Sequence, residues 1–72
     1  MNQTPSYTPK EVTKKLEKLG MVLVRTHGSH NIYRGSGNRY AVVPMHSGDI
    51  KRGTLKSILA GAKITVLEFI GM

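Results

Sequence analysis

The spacing of apolar residues along the chain changes character at two points, and the changes mark its elements. Over TPKEVTKKLEKLG, Val12, Leu16 and Leu19 fall at i, i+4 and i+7, one stripe of a helix, while Lys10, Lys14, Lys15 and Lys18 occupy the other positions. Thr8 is expected as the N-cap. Pro9 suits the first helical position, where its missing N–H costs nothing, and Glu11 completes a capping box with Thr8. Gly20 supplies a left-handed end. The stretch predicts a helix of about three turns.

From Met21 the helical spacing disappears. MVLVRT, Met21 to Thr26, is apolar and β-branched and reads as a strand. HGS is a turn that includes His27, and HNIYR, His30 to Arg34, is a second strand. GSGN, Gly35 to Asn38, is a hairpin loop. RYAVV, Arg39 to Val43, is a third strand that Pro44 closes. The three runs lie too close together for crossover helices, so an antiparallel meander is expected. Ser47 to Gly53 is polar, with Asp49 a possible helix cap. Helical spacing then returns at Leu55, Ile58, Leu59 and Ala62. That second helix is expected to begin at or just before Thr54 and to fray at Gly61. Ile64 to Ile70 reads as a last helical turn or a short strand, with Glu68 and Gly71 favouring helix. The expected fold class is α+β, in the order α-β-β-β-α, with two helices on one face of a three-stranded antiparallel sheet. Residues 1–72 are expected to form a single domain, with 1–7 a flexible lead.

Length and charge narrow the function. Seventy-two residues leave room for one small core and an open surface site, not a deep pocket. Eleven Lys and Arg against four Asp and Glu give a net charge of +7 and a pI near 10.2. That balance points first to a polyanion, nucleic acid above all. There is no cysteine, which excludes disulfides, thiol catalysis and cysteine-ligated zinc. No apolar run approaches the roughly 20 residues that span a bilayer. MNQTPSYTPKEV has no signal-peptide core, so a cytoplasmic protein with no membrane association is expected.

Candidate chemistry concentrates in RTHGSHNIYR, Arg25 to Arg34, where His27 and His30 flank a Gly-Ser pair. With His46 they would make a three-histidine zinc site, but His-x-x-His usually needs a helix to align both rings, and carboxylates to orient them are scarce. Ser29 next to His30 does not make a triad, because strand neighbours point to opposite faces and nothing places Asp49 behind a histidine. Acid–base cleavage of RNA needs neither metal nor cofactor. The 2′-hydroxyl is the nucleophile, histidine moves the protons, and arginine or lysine balances the phosphate charge. Against this stands the plain reading that loop histidines in a basic protein only meet solvent or phosphate. Tyr33 and Tyr40 are candidates for stacking on unpaired bases, or for a cross-strand aromatic pair that supports the sheet. KRGTLK places Lys51 and Arg52 where a helix begins, a setting suited to phosphate.

Four stretches taken together, LEKLGM, LVRTHGSH, VVPMHSGDIKRGTLKSIL and ITVLEFI, resemble the HicA (YcfA-like) toxins of type II toxin–antitoxin systems. The resemblance spans nearly the whole chain. It implies a double-stranded-RNA-binding-like fold and an endoribonuclease that cleaves messenger RNA and arrests growth, with a HicB-like antitoxin as partner. It also implies that His30, in the GSH segment with Gly28 and Ser29, is the catalytic histidine. It assigns no role to His27 or His46. Arg25, Gly28, Ser29, Lys51 and Arg52 are expected as contacts to single-stranded RNA. The alternative is a non-catalytic RNA-binding module.

Overall fold

The computed structural model describes residues 5–46 and 48–72. The elements are α1 (Pro9–Lys18), β1 (Val22–His27), β2 (His30–Gly35), β3 (Arg39–Pro44), α2 (Arg52–Ala62) and α3 (Val66–Ile70). The strands form an antiparallel sheet in the order β1-β2-β3. This is the expected α+β, double-stranded-RNA-binding-like architecture, with a third short helix added at the end.

α1 starts as its sequence dictates. The Thr8 hydroxyl accepts from the Glu11 N–H at 3.2 Å, and the Glu11 carboxylate accepts from the Thr8 N–H at 2.8 Å. α3 repeats the device with Thr65 and Glu68, which resolves Ile64 to Ile70 in favour of helix. α2 ends at Lys63, a residue held in the left-handed region at φ 61°. Gly61, expected to fray that end, instead lies inside the helix where α2 packs on β3. A Cβ there would overlap the Tyr40 carbonyl oxygen. Asp49 is not the cap: Lys51 takes that place, with no side-chain hydrogen bond.

One face of the sheet carries the core. Tyr33, Ala41 and Val43 meet Val12 and Leu16 of α1, Leu55, Ile58, Leu59 and Ala62 of α2, and Phe69 of α3. Met21 is buried at the joint between α1 and β1. Tyr7 is no part of a loose lead. Its ring meets Phe69 edge-on at 5.1 Å, and its carbonyl accepts from the Ile50 N–H at 2.8 Å. Residues 1–4 of that expected lead, and Ser47 of the polar segment, lie outside the described residues. The Lys15 ammonium donates to the carbonyls of Phe69 and Met72 at 3.1 and 3.0 Å, holding the C-terminal turn against α1.

Among the described residues, no helix lies on the opposite sheet face. The register pairs His27 with His30, Arg25 with Ile32, and Arg34 with Tyr40. Directly paired residues share a face, so all of these lie on the open side. A bulge at Val24 breaks the alternation of β1. It turns Leu23 to the helix side beside Tyr33, whereas unbroken alternation would have left it on the face of Arg25 and His27.

Candidate functional site

The hairpin that carries His30 is shorter than HGS. His27 is the last residue of β1 and pairs with His30, so only Gly28 and Ser29 form the turn. Gly28 has φ 60° and Ser29 a negative φ, the pattern of a two-residue turn with glycine at its first central position. This explains the order Gly-Ser and not Ser-Gly. The Ser29 carbonyl accepts from the Met45 N–H at 2.6 Å, bracing the turn against the end of β3. His30 is therefore exposed on a mount tied to two strands.

At that end of the sheet the chain leaves β3 and passes Met45, His46 and Gly48 to the start of α2. The result is an open cleft of about 380 Å³ lined by His30, Pro44, His46, Asp49, Ile50, Lys51 and Thr54. It brings together two imidazoles, one ammonium and a helix start. Backbone N–H groups in a first helical turn have no partner within the helix, and the side chain of the N-cap residue, Lys51, does not cap them. The backbone bond from Ile50 to Tyr7 anchors the approach to α2.

The other expected site residues disperse. Gly28 and Ser29 form the turn beneath His30. Lys51 is in the cleft. Arg52, the next residue, lines a neighbouring groove with Pro5, Ser6, Asp49 and Leu55. Arg25 lies on the open sheet face, in a shallow groove with Val24, Ile32, Arg34 and Tyr40. Tyr33 and Tyr40 do not form a pair. They sit on opposite faces of the sheet, Tyr33 in the core and Tyr40 exposed. Sequence reasoning weighed His46 without assigning it a role, and it overlooked Thr54 as a neighbour of His30. The signal for His46 was its place two residues after Pro44, where a chain leaving a strand beside His30 must pass. A larger groove, about 600 Å³, runs along α1 between Tyr7, Lys14, Lys18 and Met72. It holds lysines and glutamates but no histidine. Among the described residues, no group of three or more His, Asp or Glu is gathered as for a metal ion, and no helix is long and apolar enough to cross a membrane.

A small basic α+β domain of double-stranded-RNA-binding-like architecture, presenting an exposed histidine on a braced hairpin beside a helix start, defines a narrow class of protein. Residues 9–64 match the family described as HicA toxin of bacterial toxin–antitoxin systems, and the chain belongs to that family. It is the toxin of a toxin–antitoxin pair and has a cognate antitoxin as partner. No curated protein matches it.

Proposed function

We propose that this toxin is a metal-independent endoribonuclease that cleaves messenger RNA, with His30 as a catalytic acid or base. The observation that carries the reading is the cleft. It sets an exposed, rigidly mounted histidine beside a second histidine and a lysine at a helix start. In the reaction the ribose 2′-oxygen loses its proton and forms a bond to the adjacent phosphorus. The bond from phosphorus to the 5′-oxygen breaks, and that oxygen takes up a proton. The products are a 2′,3′-cyclic phosphate and a 5′-hydroxyl, and no oxidant, metal or cofactor enters the balance. His30 carries out one proton transfer, and His46, on the same cleft, is the residue best placed for the other. Lys51 and the first N–H groups of α2 offset the charge that builds on the phosphorane oxygens. Gly28 and Ser29 hold the turn close to the RNA, and Arg25 and Arg52 bind flanking phosphates. A HicB-like antitoxin neutralises the toxin by covering this cleft, and the pair acts in the cytoplasm.

The test is His30→Ala. General acid–base catalysis contributes about 10²- to 10⁴-fold. The variant is expected to lose cleavage of single-stranded RNA by that factor, and to lose growth arrest, while still binding RNA. Cleavage at the wild-type rate by the variant would refute the proposal. Cleavage by the wild type is expected to persist in excess chelator. RNA that stays intact but shifts in a gel in a salt-dependent way would mark a binding module instead.

A further inference from the structure

We infer that the open face of the sheet is a second RNA-binding surface, on which an unpaired base stacks against the Arg34–Tyr40 pair while the strand continues to His30. The inference rests on the proposal that RNA is the ligand, and it adds a platform that the cleft does not contain.

Four observations converge on this face. Tyr40 is 38 % exposed although it belongs to a strand whose other face is in the core. The Arg34 guanidinium lies over the Tyr40 ring, 4.8 Å from its centroid. A planar guanidinium already seated on an aromatic ring offers its outer plane to a base, and bases stack on arginine planes as they do on aromatic rings. Ile32 is 7 % exposed but stands outside the main core cluster. It is covered from the open side, where Val24, Arg25, Arg34 and Tyr40 form a shallow groove over it. Finally, all four carboxylates of the chain lie off the three strands, on α1, on α3 and at Asp49. The open face therefore presents arginines and imidazoles with no acidic side chain among them.

Geometry joins this platform to the cleft. His30, Ile32 and Arg34 alternate along β2 and so share one face. At about 3.3 Å per residue, His30 and Arg34 stand roughly 13 Å apart along the strand. A base on Arg34 thus belongs to a nucleotide near the scissile bond, not to the one being cleaved. Arg25, paired with Ile32 between the two ends, is positioned to meet the intervening phosphate. Stacking is tolerant of sequence because every base has a π-face. The platform contributes affinity and register for single-stranded RNA, and it selects against duplex, whose bases are already stacked.

The test uses a short single-stranded 2′-O-methyl RNA. It lacks the nucleophile, so binding is read without cleavage. Affinity is measured by fluorescence anisotropy for the wild type, Tyr40→Phe, Tyr40→Ala and Arg34→Lys. Loss of one stacked base is expected to weaken binding by about 5- to 140-fold in Tyr40→Ala. Tyr40→Phe keeps the ring and is expected to bind like the wild type. Arg34→Lys keeps the charge but loses the plane, and is expected to weaken binding several-fold. Tyr40→Ala also uncovers part of Ile32 and removes the cation–π contact, so unfolding midpoints are measured for every variant and affinities are compared at a temperature where all are folded. Wild-type affinity in both Tyr40→Ala and Arg34→Lys would overturn the inference. So would a Tyr40→Ala variant that keeps its RNA affinity but loses its hold on the cognate antitoxin, since the face would then be a protein-docking surface. Cleavage of ordinary RNA by the wild type, run in parallel, reports on the catalytic proposal separately. If RNA stays intact while the analogue still depends on Tyr40, the catalytic proposal fails and this one stands.

Discussion

His27, His30 and His46 carry the same side chain on three different mounts, and two of the three line one cleft. His27 and His30 close a two-residue turn and face the same side of the sheet. His46 sits in the segment that leaves β3, yet it lines the same cleft as His30 and Lys51, whereas His27 does not. His46→Ala is therefore expected to lower the cleavage rate by about 10-fold or more, within the range for loss of a proton-transfer group. His27→Ala should change it by only a few-fold. Initial rates on a fluorogenic RNA measure both, and a larger loss in His27→Ala would move the second proton-transfer role to the hairpin. His27 lies three residues from His30 along the chain and His46 sixteen, yet the cross-strand register and the path of the loop after Pro44 put His46, and not His27, on the cleft with His30.

At the scale of elements, local signals and tertiary contacts part company in α2. Helix propensity ranks alanine above glycine by about 1 kcal/mol in a helix interior, so Gly61→Ala would be expected to stabilise the helix. The packing reverses that sign. A Cβ at Gly61 would overlap the Tyr40 carbonyl oxygen, which is backbone and cannot swing aside. Gly61→Ala is expected to destabilise the protein by about 1–3 kcal/mol, the usual cost of overpacking, read as a fall in the denaturant midpoint. The start of α1 was legible because capping is local: Thr8 and Glu11 act within three residues, and the same pattern at Thr65 and Glu68 decides for helix where Ile64 to Ile70 read as helix or strand. Thr65→Ala removes the hydroxyl cap of α3 and is expected to cost about 1 kcal/mol, measurable as a drop in Tm. α2 breaks the local rule at its other end. It starts with Lys51 and Arg52, the wrong sign for a helix N-terminus, and without a side-chain cap. A bound phosphate would satisfy the exposed N–H groups and the two cations together, which is why this start belongs in the proposed RNA site.

For the molecule as a whole, the charge of +7 predicts that the proposed RNA binding depends strongly on salt. For single strands the logarithm of affinity falls with the logarithm of salt by about 0.7 for each phosphate neutralised. Removing one phosphate contact with Lys51→Ala is expected to reduce that slope by roughly 0.7. A titration of affinity between low and physiological salt measures it, and an unchanged slope would take Lys51 out of the phosphate set. Tyr40→Ala, by contrast, is expected to weaken binding without changing the slope, because stacking releases no counterions. The two variants thus separate the electrostatic from the stacking contribution.

The sequence by itself determined the α+β order, the three-stranded meander, the Thr8–Glu11 capping box and the strongly positive charge. Each of these is written in short-range spacing or in composition, where neighbours along the chain are also neighbours in space. Only the tertiary structure decided which faces those residues occupy. The bulge at Val24 turned Leu23 to the side of Tyr33, and the β2–β3 register, which pairs Tyr33 with Ala41 and Arg34 with Tyr40, put Tyr33 in the core and Tyr40 on the open face. The return of the chain past Pro44 brought His46 and Lys51 to His30. The sheet–helix contact turned Gly61 from a fraying point into a packing requirement. These depend on register and on long-range closure, where a shift of one residue moves a side chain to the other face of the sheet.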